Sequence, residues 1–380
     1  MQTKEIPFNK PHLTGQESIY LEQAVKYGQL SGNGVFTKKC QSFFEDRYGI
    51  KKCLLTTSCT DALELAALTL DIQVGDEIIM PSYTFVSTAN AFALRGAKIV
   101  FCDSRDDHPG MDEDQIWSLI TSKTKAIVVV HYAGVACDMD KLASICKHHQ
   151  LYLVEDVAHG IEAKYNGRAL GTFGDLAAFS FHETKNIHSG EGGLLAINNK
   201  DFLEKAEIIW EKGTNRAAFW RGEVDKYEWQ SLGSSFLPSE LNAAFLWAQL
   251  QEIERIQRAR VSIWEAYYSN LSSLNFDWLT LPTTPAYGTN NGHLFYLNLS
   301  SDKLRSNLKK WLANKGINSI SHYQCLHSSP FHTKTHEKKT LLKAEHYEKC
   351  LLRLPFFYDL QKADIQFICN SIEDFNKFHL

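Results

Sequence analysis

Phe179-Ser180-Phe181-His182-Glu183-Thr184-Lys185-Asn186 closes an apolar run that begins at Leu176. Leu176–Phe181 reads as a strand that is apolar on both faces, the pattern of a sheet covered by helices on each side. Its lysine stands just past the strand end. Upstream, Leu151–Glu155 makes a second such strand and delivers Asp156 to its end. Working outward, further strands are expected at Cys53–Thr57, Glu77–Met80, Lys98–Cys102, Ala126–His131 and Gly193–Ile197. Helical patterns at Thr60–Leu70, Thr84–Leu94, Asp112–Ile120 and Met139–His148 fall between them. This alternation predicts an α/β architecture with a mostly parallel sheet.

Beyond residue 200 the pattern changes. One long helix is expected from about Ser239 to Tyr268, with Leu241, Ala244, Phe245, Ala248, Leu250 and Ile253 among its apolar positions. It connects to a smaller α+β unit with strands at Phe295–Leu299 and Ile317–Ile320 and helices at Asp302–Asn314 and Lys362–Phe375. The expected division is a large domain over 1–258 and a small one over 259–380. At 380 residues the chain is long enough for two cores.

Composition removes several classes of function. A net charge of −4 leaves no basic excess for a phosphate backbone, so no nucleic acid is expected. No apolar run reaches the roughly 18 residues of a membrane span, and the first residues lack the apolar core of a secretory signal. Nine scattered cysteines without a CxxC pair fit a reducing compartment, and the cytoplasm is expected. His332 and His336 are four apart, but the Glu of an HExxH motif is missing and Pro330 interrupts helical regularity, so no metal site is expected.

The candidate chemistry gathers at strand ends, where open α/β sheets place ligands. Thr57-Ser58-Cys59-Thr60-Asp61-Ala62-Leu63 runs from a strand into a helix, and free N–H groups at a helix start bind phosphate. Taken alone, the segment reads first as an ordinary N-cap. Gly190-Glu191-Gly192-Gly193 is neither GxGxxG nor a P-loop, and a tight turn explains it. Asp156 is placed to hold a ring nitrogen protonated, or else to cap or pair structurally. Phe85 can stack on a ring or belong to the core. Lys185 becomes a nucleophile only if burial or a neighbouring cation lowers its pKa. One lysine and one carboxylate in this order are the minimum that pyridoxal phosphate requires of a protein.

The same segments carry a resemblance. Ser58-Cys59-Thr60-Asp61-Ala62-Leu63, Pro81–Asn90, Glu155-Asp156-Val157-Ala158-His159, Phe179–Asn186 and Gly190–Gly193 occur in one order, followed by His322-Tyr323 with Leu326-His327, and by Leu354-Pro355. In this series the chain resembles the DegT/DnrJ/EryC sugar aminotransferases, pyridoxal-phosphate enzymes of the aspartate-aminotransferase fold (fold type I). The resemblance implies that Lys185 holds the cofactor as a Schiff base, that Asp156 pairs with the pyridine nitrogen and that His159 approaches the ring hydroxyl. It further implies that Phe85 stacks on the ring while Cys59, Thr60 and Ser180 hold the phosphate. Asn186, Arg216, His322, Tyr323 and His327 are the implied substrate contacts. The partners it implies are L-glutamate, a dTDP-linked keto-sugar and a second copy of the chain, with active sites at the homodimer interface.

Two departures stand out. Where relatives carry Asn and Arg reaching the neighbouring subunit's phosphate, this chain has Ser235 and Leu237, so a weaker or rearranged contact is expected, with Ser235 at the cofactor. Cys325 replaces a usual proline, which predicts a looser loop.

Overall fold

The computed structural model describes residues 5–334 and 339–379. Its large sheet contains β1 (Lys52–Thr56), β2 (Glu77–Pro81), β3 (Lys98–Cys102), β4 (Thr124–Val130) and β5 (Tyr152–Asp156). A short hairpin, β6 (Lys164–Tyr165) and β7 (Arg168–Ala169), precedes β8 (Leu176–Ser180) and β9 (Gly193–Ile197), which rejoin that sheet. The order is β1-β9-β8-β5-β4-β2-β3, and only β9 runs against its neighbours.

The sheet forms where it does because both faces are buried. Along β4, Ala126 and Val128 enter one apolar cluster and Ile127 and Val129 the other. Leu195 and Ile197 of β9 alternate with Leu194 and Ala196 in the same way. Side chains alternate with a period of two, so one strand supplies both cores.

Register then fixes the site. Thr56 pairs with Gly193, Gly193 with Ser180, and Val130 with Asp156, so these residues end or begin their strands on one edge. Lys185 follows in the turn between β8 and β9.

The long helix expected from Ser239 is two helices, Glu240–Gln251 and Ile253–Ser272. Glu252 separates them with φ −107° and ψ 10°, outside helical geometry. The first packs against Glu17–Tyr27 and Val35–Tyr48, helices the sequence reading left unassigned. Buried Glu240 accepts from the backbone N–H groups of Gly34, Phe36 and Thr37 at the start of the second of these. A carboxylate there answers the positive end of the helix dipole.

Ile263, Tyr267 and Leu271 from the second half of the broken helix enter a third apolar cluster. That cluster surrounds a small antiparallel sheet, β10 (Leu279–Thr280), β11 (Tyr296–Leu299), β12 (Ile320–Ser321) and β13 (Leu351–Arg353), in the order β10-β11-β13-β12. The strand expected at Ile317–Ile320 is displaced, because Ile317 bridges Ile6 instead. The N-terminal segment thereby joins the small unit's core.

Candidate active site

Helix Cys59–Thr69 begins directly after β1. Ser58 caps it, its Oγ accepting from Asp61 N–H at 3.0 Å. The capping oxygen leaves the first amides, Cys59 and Thr60, without intrahelical acceptors. Thr60 Oγ1 lies 2.7 Å from Ser87 Oγ, so a second hydroxyl joins the helix start. Gly193 is required here: a Cβ on it would lie 2.3 Å from the carbonyl carbon and oxygen of Ser58. The β9 backbone therefore presses against the turn and holds the amides toward a cavity of about 980 Å³.

Asp156 is buried at the end of β5. Its Oδ2 accepts from Thr88 Oγ1 at 2.8 Å and its Oδ1 from Ala158 N–H at 3.1 Å. Among the described residues it has no ion-pair partner. Burial pushes its pKa up despite those donors and the nearby Lys185. A cationic ring nitrogen is the partner this carboxylate lacks, and in that respect the residues fit pyridoxal phosphate.

Lys185 lines the same cavity. Burial pulls its amine down from 10.5 to about 8, with Arg353 adding to the effect while Cys59 and Asp156 oppose it. Only the neutral amine attacks a carbonyl. Capture of pyridoxal phosphate by cofactor-free protein, followed by absorbance, should therefore quicken as pH rises through about 8 and level off above it. A rate still climbing toward the ordinary lysine value near 10.4 would contradict the buried-amine geometry.

His159 is held neutral, chiefly by burial and then by the cation at Lys185. Its Nδ1 accepts from Ala133 N–H at 3.2 Å, so the ring proton sits on Nε2, 3.4 Å from Tyr323 Oη. His159 stacks on His293 with ring centroids 4.1 Å apart. Phe85, immediately before helix Val86–Ala93, keeps its ring 55% exposed at the cavity wall, an apolar face open to a flat ligand.

Nine of the residues singled out in the sequence line one cavity: Cys59, Thr60, Phe85, Asp156, His159, Ser180, Lys185, His322 and Tyr323. Four do not. Asn186 is buried and turned away, its Nδ2 donating to Asn291 O at 2.9 Å and its Oδ1 lying 2.7 Å from His293 Nδ1. It is not among the residues that line the cavity, and its amide meets the His293 ring instead. His327 is likewise buried, with Nδ1 2.7 Å from Ser82 Oγ, so it fastens the loop rather than facing the cavity. Arg216 lies exposed in the short helix Arg216–Trp220, and Ser235 is exposed in a backbone bridge with Glu211.

The loop around Cys325 is tied down, contrary to expectation. Cys325 N–H donates to Glu348 Oε2 at 3.3 Å, a bond proline cannot make, and Leu326 N–H reaches Ser82 O at 3.0 Å. His332 Nδ1 stands 3.0 Å from His327 O, and His336 lies outside the described residues. Among the described residues no cluster of three or more His, Cys, Asp or Glu side chains is arranged to hold a metal, and no helix is long and apolar enough to cross a membrane.

Sequence reasoning missed His293 and Arg353, which also line the cavity. Arg260 donates to the carbonyls of Gly292 and His293 at 3.0 and 2.7 Å, fixing the loop that presents this histidine. No local motif marks either residue, since both come from the small unit's short strands and their approaches.

Fold and site together define a pyridoxal-phosphate-dependent aminotransferase of fold type I. The chain belongs to the DegT/DnrJ/EryC1/StrS aminotransferase family, whose model matches residues 11–373. It is 30% identical to the GDP-perosamine synthase of Vibrio cholerae, covering 97% of this chain and 99% of that one. The solved aminotransferase TlmJ from Streptoalloteichus hindustanus superimposes with a TM-score of 0.90 at 27% identity, covering 98% of both chains. DesV of S. venezuelae, solved in complex with a ketimine intermediate, gives 0.89 at 27% identity over 98% of this chain and 99% of that one. The protein is a sugar aminotransferase, acting on a keto-sugar and an amino donor.

Proposed function

We propose that the protein moves the amino group of L-glutamate to the C4 ketone of dTDP-4-keto-6-deoxy-D-glucose, giving dTDP-4-amino-4,6-dideoxy-D-galactose. The observation that carries the reading is the half-buried Lys185 amine, uncommitted among the described residues, in the same cavity as Asp156. The choice of sugar rests on His182–Asn186, Glu211–Arg216 and Gly233-Ser234-Ser235, which resemble the dTDP-4-amino-4,6-dideoxygalactose transaminase of enterobacterial common antigen synthesis.

Bound in the cavity, pyridoxal phosphate supplies an electron sink and a transferable amino group. Lys185 Nζ takes the proton from the donor's α-carbon and, in the second half, returns one to C4 of the sugar. Asp156 keeps the ring nitrogen protonated. His159, neutral with its proton on Nε2, donates toward the ring hydroxyl. The amides of Cys59 and Thr60 and the hydroxyls of Thr60 and Ser180 hold the phosphate, and Phe85 covers one ring face.

A homodimer is part of this proposal. Trp220, Tyr227, Trp229 and Leu232 are 69, 56, 78 and 65% exposed, an apolar strip around the Arg216 helix that a second copy would cover. In that arrangement Arg216 and Ser235 serve the partner's site. Arg216→Ala should raise the KM for the nucleotide sugar while leaving the glutamate half-reaction within about twofold; equal losses in both would count against it. The nine free cysteines support a reducing compartment, the cytoplasm.

The likeness to GDP-perosamine synthase favours one rival, a GDP-linked 4-keto-sugar as acceptor. Purified holoenzyme should be yellow and bleach with glutamate. Offering it dTDP-4-keto-6-deoxyglucose and a GDP-linked 4-keto-6-deoxyhexose in parallel, with product assignment by NMR, decides among acceptors and between galacto and gluco amines. A 3-amino product, or bleaching with no turnover on either sugar, would overturn the proposal.

A further inference from the structure

We infer that His293 helps choose the acceptor: its Nε2 takes a hydrogen bond from the hydroxyl beside the sugar's ketone. This role deepens the proposed amino transfer and rests on it. Asn186 Nδ2 donates to Asn291 O at 2.9 Å and to Gln257 Oε1 at 3.2 Å. A backbone carbonyl can only accept, so the Asn186 amide nitrogen faces it and Oδ1 is left facing His293 Nδ1, 2.7 Å away. An oxygen at that place requires the imidazole proton on Nδ1. Burial keeps the ring neutral, so Nε2 carries a lone pair and no proton.

The residue is held from several sides. Its N–H donates to Asn291 Oδ1 at 3.1 Å, its carbonyl accepts from Arg260 Nη2 at 2.7 Å, and its ring stacks on His159. Asn291 is fixed in turn, its Nδ2 donating to His159 O at 2.7 Å and to Ile161 O at 2.9 Å. His293 lines the cavity, and with Nδ1 committed Nε2 is the atom it offers to a ligand. The two stacked imidazoles thus differ in character. His159 accepts from Ala133 N–H through Nδ1 and presents a donor, whereas His293 presents an acceptor.

A nitrogen without a proton needs a donor. Ionised carboxylates and phosphates only accept, so neither glutamate's carboxylates nor a diphosphate suits it, and glutamate's amino group is the one being transferred. A sugar hydroxyl does suit it. The chain supplies the place: Asn186 is bonded to Lys185, and its hydrogen bond to His293 ties this acceptor to the end of the cavity where the lysine works. Two carbons flank the C4 ketone of a 6-deoxyhexose. C5 carries a methyl group and the ring oxygen, neither of them a donor, whereas C3 carries a hydroxyl. The C3 hydroxyl is therefore the partner that His293 selects.

The test offers pyridoxamine-loaded enzyme dTDP-4-keto-6-deoxyglucose and its 3-deoxy counterpart, and compares second-order rates by single-turnover absorbance. Wild type should favour the hydroxylated sugar by about tenfold or more, and that preference should shrink about tenfold in H293L. The rate of the pyridoxal-loaded variant with L-glutamate should stay within about fivefold of wild type. H293Q, which keeps an oxygen acceptor, should retain part of the preference. A wild-type preference below about twofold, or one that H293L keeps in full, overturns the assignment; the first result needs no variant, so a misfolded H293L does not shield it. Equal losses with glutamate and with sugar also overturn it, because the lone pair would then serve Lys185 in both halves. Wild type that aminates neither sugar refutes the parent reading instead.

Discussion

Lys185→Ala should abolish turnover, with a fall of about 10⁴-fold or more in kcat, and leave a folded protein. General acid–base catalysis by a positioned group contributes about 10²–10⁴-fold, and this amine also serves as the attachment point. The geometry predicts that folding survives. No side chain among the described residues depends on Lys185 for a hydrogen bond or ion pair, so its loss strands no partner. Burial holds its pKa at about 8 rather than 10.5. The sign follows: the protonated amine costs the folded state stability below about pH 8, and the cost is relieved as pH rises toward 10.5. At neutral pH the cofactor-free alanine variant should therefore resist heat at least as well as the cofactor-free parent. Steady-state assays beside a thermal melt check both parts, and full activity in the variant would refute the assigned role.

Asp156→Asn should be the second most damaging change. Asparagine keeps an oxygen for Thr88 or Ala158 and nearly the same shape, so the pocket persists while the charge is lost. Removing one member of a buried charge pair costs about 3–5 kcal/mol, which corresponds to roughly two to three and a half orders of magnitude in rate. The loss should appear in both half-reactions, because a protonated ring nitrogen serves each. Single-turnover rates with glutamate and with keto-sugar measure this directly. A variant slowed less than about tenfold in either would mean that the carboxylate does not face the ring nitrogen.

The large sheet was legible because its strands are buried on both faces. Such runs as Ala126–Val130 and Gly193–Ile197 leave little choice of conformation. Strand ends then located Asp156, Lys185 and the Cys59 turn, whose side chains reach one edge through the pairing register. The break at Glu252 was hidden: Gln251-Glu252-Ile253 carries no proline or glycine, and local propensity favours continuation. The division instead accompanies a change of packing partner, from the N-terminal helices to the small unit's core. Asn186 shows the same limit at finer scale. It adjoins Lys185 in sequence, yet its amide turns to His293 and Asn291, more than 100 residues away. Arg353 lies in a three-residue strand too short to carry a periodic signal.

The central claim is that residue 185 carries the cofactor. Borohydride reduction of the cofactor-loaded protein, digestion and mass mapping of the pyridoxyl group test it most directly. The label should fall on Lys185 alone; a label on another lysine, or none in protein that has bound pyridoxal phosphate, would contradict the account.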